Sequence, residues 1–589
     1  MVAEVYLIRR LPRRFDFFDY AIPEGLQIGI GDLVRVSFRG HRSLGIVRSL
    51  VSTSTHRLIP LEELIESNFL SNADLIRYEK LAQLIFQSPS TILYTACMGY
   101  AARAKKASPF IQKKRISSLF SRESVRLAQS AAATTGSFFE TSQEGEMIFS
   151  GLLRKKTKGQ LLVLVPRERT AEMLAERIPL GPGVAVLTGH TKGTHRESII
   201  AGWRHGDIRT LIGNRQASLL PAHDLSIVHI HDLSSREYDL IDRNPRFDVR
   251  LAGEMLAKAW KAECHASGAF PRIGREFHSF LEDPPQKPTI IDLKHQDEHG
   301  NTPGLSETLY NAIKEALQGQ KTVLLSFNRK GNAKYLQCEH CKAIPSCPIC
   351  EATPECTDSG MRCPQCLKSF SLPTSCPFCG KSLFFEKGIG NKVMKRRLEK
   401  AFPEIKIGII DKDIQEPGAS ILLVTDYHFD SFALPFDRSW GLIADLTFDY
   451  HLNQPDYRSR ELAAARLHRL MHFAGYQKTP LFIQTWMSDA VKSLVKTQTV
   501  IEEIKNTRAQ YGLPPSTIEV RLAPTLLPAL GQNSRYFREE QHLAKGFFTQ
   551  EQFTHLSETL DQLPERGTIE ILYPTYDSPG SPSSQSPAS

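Results

Sequence analysis

A multidomain α/β fold is predicted for this chain of 589 residues, and three observations predict it. The length exceeds what one core organises, since roughly 150 residues per domain suggests about three to five units. Two long tracts alternate short apolar runs with helical patterns, the signature of parallel sheets. Eight of the eleven cysteines fall in four C-x-x-C hooks, which marks a separate small module.

In chain order, DYAIPEG, GDLVRVSFRG and SLGIVRSLV alternate apolar and polar positions between turn signals, the pattern of a small β-domain. Helical spacing follows from about residue 62, so 1–104 is read as that domain with a helical extension, and the basic stretch 105–122 as a linker. Over 123–265 the runs QLLVLVP, GVAVLTG, TLIGN and LSIVHIHDL alternate with helical segments, giving a first α/β lobe. Residues 266–305, rich in Pro, Gly and charge, read as a linker. A second lobe occupies 306–337 and 380–497, interrupted by the cysteine module at 338–379. A small αβ domain spans 498–576, and the Ser/Pro tail 577–589 cannot support a packed core.

Composition narrows the class. Apolar residues at 41% and charged residues at 23% are ordinary globular values. No window approaches the roughly 18 uninterrupted apolar residues of a membrane span. The opening MVAEVYLIRRLPRR lacks the apolar stretch of an export signal, so a cytoplasmic protein with no membrane partner is expected. Lys and Arg exceed Asp and Glu by 73 to 64, with runs such as KKASPFIQKKR that suit a polyanion or simply a solvated face.

Each C-x-x-C turn offers two thiolates from one knuckle, so four hooks supply two tetrahedral sites and predict two zinc ions per chain. The intervening loops hold 5, 12 and 9 residues, which permits consecutive or nested pairing. All-Cys ligation leaves no position for water, so the metal is read as structural. His340 and Cys356 are spare donors read as bystanders.

The order NRKGN, four hooks, GIGNKVMKRRLEKAFPEIKIGIIDKD resembles the primosomal protein N-prime (PriA) family of replication restart DNA helicases. RFDFFDYAIPEGLQIGIGDLVRVSFRG resembles its N-terminal domain for DNA 3′ ends, and WRHGDIRTLIGNRQASLLPAHDLSIVHI its first helicase lobe. PDYRSRELAAARLHRLMHFAG resembles the second lobe, and YGLPPSTIEVRLAP the start of its C-terminal domain. The resemblance implies two RecA-like helicase lobes carrying a two-zinc insertion. It pairs Cys338, Cys341, Cys376 and Cys379 on one zinc, and Cys347, Cys350, Cys363 and Cys366 on the other. It places the DNA 3′ end against Phe18, Asp19, Gly40 and Arg57, where an aromatic stacks on a base and a carboxylate accepts from the free hydroxyl.

The family's motor motifs are not matched. G-x-x-x-x-G-K-S/T occurs nowhere, and TTGSFFETSQEGEMIF (134–149) stands in its place without a lysine. The acidic DEEH box reads His231, Asp232, Leu233, Ser234, and the G-S-A-T-P-S coupling motif is not discernible over 264–275. The arginine-bearing Q-V-A-G-R-A-G-R reads HFAGYQKT from His472 to Thr479, and one lost arginine finger costs on the order of 10³ in rate. ATP and magnesium are therefore not expected as ligands, and the reading leans against an enzyme. The expected function is replication restart: binding branched DNA at stalled forks and helping to load the replicative helicase, with other primosome proteins as partners. An ATP-dependent 3′ to 5′ helicase with a divergent nucleotide site is the alternative, and an interaction scaffold that no longer binds DNA the second.

Overall fold

The structure is a computed structural model that describes residues 1–97, 159–273, 286–295, 304–327, 335–425, 439–563 and 569–572, apart from short interruptions within these spans. The chain groups into two compact units, one chiefly from residues before 280 together with those from 504 onward, the other from 281–503.

The first unit begins with a six-stranded sheet of order β5-β2-β1-β4-β3-β6, formed by β1 (Val2–Leu7), β2 (Phe18–Ala21), β3 (Leu33–Phe38), β4 (His41–Val51), β5 (Ile59–Pro60) and β6 (Glu63–Glu66). The sheet curls until β2 and β3 approach: the Tyr20 hydroxyl donates to Ser37 O, and the rings of Phe18 and Phe38 meet edge to face at 4.9 Å. Ala3, Val5 and Leu7 fill the inside of the curl, while Tyr6 and Ile8 point the other way into a second core. Gly31 is required where it stands, because its φ is +86° and a Cβ there would lie 2.0 Å from Leu70 O.

Helices Asn72–Leu84 and Pro89–Ala96 follow. The first is started by Ser71, whose hydroxyl accepts from the Asp74 N–H, and the second by proline at its first position, where no donor is lost. Their apolar faces join Tyr6 and Ile46 of the curled sheet to Leu162, Leu219 and Met255 of the next layer in one continuous core. Arg77, fully buried, pairs with Asp74 and donates to the carbonyls of Ser218 and Leu219, so the helices bracket the N-terminal sheet and its neighbour rigidly together.

That neighbour is a five-stranded parallel sheet of order β11-β10-β7-β9-β8: β7 (Gln160–Leu164), β8 (Val184–Leu187), β9 (Thr210–Gly213), β10 (Leu225–Ile230) and β11 (Glu263–Ala266). Continuous apolar runs suit strands covered on both faces, and β7 and β9 are buried along their whole length. The helix Val249–Trp260, capped by Asp248, covers one face.

The second unit holds a six-stranded parallel sheet of order β12-β22-β21-β13-β20-β19. Its strands β12 (Thr289–Asp292) and β13 (Thr322–Ser326) precede the cysteine module. Within that module lie β14 (Tyr335–Cys338), β15 (Glu355–Thr357), β16 (Gly360–Arg362), β17 (Ser369–Phe370) and β18 (Phe384–Lys387). The sheet resumes with β19 (Ile407–Ile410), β20 (Ile421–Val424), β21 (Trp440–Asp445) and β22 (Leu481–Thr485). Strand β12 lies within the stretch read as a linker from its Pro and Gly content; pairing with β22 decides its conformation, which local composition could not reveal.

The chain closes on β23 (Ile518–Leu522), β24 (Phe537–Glu540), β25 (Leu543–Phe548) and β26 (Ile569–Leu572), in order β24-β25-β23-β26. The helix Gln550–Gln562 packs on this sheet from a complete capping box between Thr549 and Gln552.

Candidate functional site

The cysteine cluster is built by two copies of one knuckle. In the first, Cys338 N donates to Ala343 O, and in the second, Cys376 N donates to Lys381 O. A backbone turn of this kind presents the sulfurs of residues i and i+3 on one side. Antiparallel pairing of β14 with β18 supports the first knuckle at its base. The four sulfurs of Cys338, Cys341, Cys376 and Cys379 all lie within 4.8 Å of one another. The Cys338–Cys379 and Cys341–Cys376 pairs are each 3.6 Å apart, far beyond a disulfide and close to the edge of about 3.8 Å that Zn–S bonds of about 2.3 Å give a tetrahedron. The N–H of Cys341, helped by that of His340, holds the Cys338 thiol down at about 6, so this sulfur ionises readily. Cys341 is held down by the Ala343 N–H but pushed up to about 12 by desolvation and the neighbouring sulfurs, the crowding a cation would relieve. The donor set therefore fits a structural zinc and leaves no open coordination position. Cys347 is buried, while Cys350, Cys363 and Cys366 lie outside the described residues.

The residues expected to hold a DNA end sit at one rim of the curled sheet, but strand alternation divides them. Phe18 points inward with Tyr20, stacked on Phe15 at 6.2 Å and edge-on to Phe38. Asp19 points away and accepts a hydrogen bond from the Ser54 hydroxyl, which itself accepts from His56 N. That turn carries the exposed Arg57. Gly40 closes the β3–β4 hairpin with φ of +76°, preceded by Arg39 at +51°; two positive φ values make a type I′ turn, and open space surrounds the glycine. The structure thus gathers Phe18 with the Gly40 hairpin, and Asp19 with the loop bearing Arg57.

At the end of β10, the positions expected to align with an acidic box are held by internal bonds. Asp232 is 2% exposed and accepts from the Ser234 hydroxyl. His229 and His231 both meet the Ser267 hydroxyl, at 3.1 and 3.0 Å, and this group, able to donate once and accept twice, joins the two rings. Ser267 follows β11 in the stretch where no coupling motif was discernible; geometry, not sequence, ties it to β10. Arg250 is fully buried and reaches back to Leu233 O, Asp239 and Asp248, pinning the loop after β10. Its sequence signal was slight: an arginine just inside an Asp-capped amphipathic helix. In the second unit, His472 is buried within the helix Ser459–Tyr476. Nearby in sequence, Thr479 donates to Trp440 O. The segment 134–149 lies outside the described residues.

Comparison with known proteins meets the geometry at the rim. The 3′DNA-binding domain (3′BD) of PriA matches residues 8–97, the curled sheet with its two helices. The replication restart protein PriA of Haemophilus influenzae is 25% identical over 68% of this chain, and the alignment spans 58% of that protein. PriA of Rickettsia typhi is 24% identical over 94% of this chain and 89% of its own length, and that of Rickettsia conorii 24% over 80% and 78%. Solved structures are only distantly alike: RecG bound to a three-way DNA junction covers 74% of this chain and 53% of its own at a TM-score of 0.30 and 10% identity, too weak to bear on the fold. The match at the N-terminal rim and an alignment that runs nearly end to end point the same way, and the chain is similar to the PriA replication restart proteins along almost its whole length.

Proposed function

We propose that this chain is a replication restart protein that binds branched DNA at stalled forks through its N-terminal rim and helps to load the replicative helicase, without working as an ATP-driven motor. The observation that carries the proposal is the 3′DNA-binding domain match over residues 8–97, which falls on a rim that holds Phe18 with the Gly40 hairpin and, on the other side of the strand, Asp19 with the loop of Arg57. In this reading Phe18 and the Gly40 hairpin receive the terminal nucleotide, while Asp19, with Arg57 beside it, takes the free 3′-hydroxyl once Ser54 yields its bond. The two parallel α/β sheets serve as RecA-like helicase lobes in architecture. Two zinc ions hold the cysteine module, the first on Cys338, Cys341, Cys376 and Cys379, the second on Cys347, Cys350, Cys363 and Cys366. The buried Asp232 supports a lost motor, because a carboxylate turned inward onto Ser234 does not face a magnesium ion.

Forked DNA with a 3′-hydroxyl at the branch tests the proposal in one paired assay of binding and ATP hydrolysis. Salt-sensitive binding without DNA-stimulated hydrolysis is expected. Hydrolysis stimulated by the fork would establish the divergent helicase instead, and no binding to any fork would leave an interaction scaffold.

A further inference from the structure

We propose that the rim carries a second nucleotide subsite, in which Arg9 and Arg39 hold the last internucleotide phosphate of a 3′-ended strand and Phe15 stacks on the adjoining base. This deepens the 3′-end reading above and rests on it. The first observation is a pair of like charges on one ring: the guanidinium carbons of Arg9 and Arg39 lie 5.3 and 5.5 Å from the centre of Phe38. Neither arginine has a carboxylate partner among the described residues, and Arg9 makes its polar side-chain contact with the neutral Ser43 hydroxyl at 3.3 Å. Their neighbours differ, since Arg35 pairs with Glu63, Arg42 with Glu62, and Arg48 with both Glu4 and Glu79. Two guanidiniums at one ring, with no carboxylate against them among the described residues, leave positive charge at this rim that an anion beside them would offset. A cation–π contact uses none of a guanidinium's N–H groups, and those left over can grip a phosphate.

The second observation concerns which ring is available. Phe18 is half-buried, stacked by Phe15 with an interplanar angle of 10° and met edge-on by Phe38, so a strand whose end reaches Phe18 passes beside Phe15. Phe15 is 44% exposed. The base adjoining the terminal one therefore meets Phe15, next to the nucleotide at Phe18. The type I′ turn at Arg39 and Gly40 places the Arg39 guanidinium at the hairpin tip, beside the platform instead of across the sheet.

The test is fluorescence anisotropy of the full chain with a 5′-labelled oligothymidylate ending in a 3′-hydroxyl, over a salt series. The double variant R9A/R39A is expected to bind at least tenfold more weakly, with a log–log salt slope shallower by about 1.4, the value for two lost contacts to single-stranded phosphates. R9K/R39K restores the slope and so controls for folding. F15A weakens binding about tenfold and leaves the slope unchanged, because stacking is not a counterion effect. An unchanged slope in R9A/R39A, or wild-type binding by F15A, overturns the proposal. A 3′-phosphorylated oligonucleotide separates it from the reading beneath: equal binding of the two ends defeats 3′-end recognition, while the salt slope still judges the arginines.

Discussion

An imidazole kept neutral inside the first unit ties its stability to pH. Burial, then the neighbouring His231 and His265, pushes His229 down from 6.5 to about 3. Between those values the unfolded chain binds a proton that the folded chain refuses, so the stabilisation present above pH 6.5 is lost as the pH falls toward 3. His472 in the second unit is lowered to about 3 by burial and His468, with the same sign. Each histidine costs about 1.4 kcal/mol per pH unit through this window. A denaturation midpoint flat above pH 7 and falling from 6.5 to 5 is expected, with a shallower fall in His229→Gln; a profile that ignores the substitution would show that His229 already charges in the folded state. None of this was legible in LSIVHIHDL, where alternate histidines read as ordinary strand residues. Their partner Ser267 lies 36 to 38 residues away and is brought to them only by the pairing of β11 with β10. Asp232, by contrast, was found in sequence, but neither its burial nor its φ of +51° was legible there.

At the scale of elements, legibility follows the range of the interactions. Each C-x-x-C hook is a local device that the sequence displays directly, yet it left consecutive and nested pairing open because that choice is made across about forty residues. The gathering of Cys338 and Cys341 with Cys376 and Cys379 brings the outer two hooks together, with β14 and β18 as their stem. Loss of one thiolate from a closed tetrahedral site removes its ion, since three sulfurs must then share their charge with water. Cys338→Ser is therefore expected to lower the zinc content by one ion per chain, whatever the wild-type total, and to speed amide exchange along β14 and β18. Unchanged metal content would show that these four sulfurs do not form a site of their own. The helix Asn72–Leu84 offers a harder case. Gln87 N donates to Ala82 O and Phe86 N to Gln83 O, the pattern that ends a helix with a left-handed residue, and that residue is Phe86 at φ of +52° instead of the usual glycine. No sequence rule places a phenylalanine there.

The reason emerges only from the whole first unit. Phe86 is seated in the core of the C-terminal sheet, with Val520, Leu522, Phe548 and Leu560, and meets Phe553 edge to face at 6.0 Å. A segment read from sequence as a separate domain is thus keyed to the N-terminal helices by one side chain from the other end of the chain. The left-handed conformation costs about 1–2 kcal/mol, and burial of the ring outweighs it, since deleting a buried phenylalanine costs about 3–5 kcal/mol. Phe86→Ala should lose the core contact and keep the strain. Phe86→Gly should lose the same contact but relieve the strain, so it falls short of wild type by about 1 kcal/mol less. In both variants, amide exchange is expected to rise through β23, β25 and the helix Gln550–Gln562, while β7, β9 and β10 stay protected. If exchange in the C-terminal sheet were unaltered, the ring would be a passenger and some other contact would join the two ends of the chain. If the parallel sheet loosened as well, the bracket at Arg77 would be carrying the strain onward, and the first unit would unfold as one cooperative body.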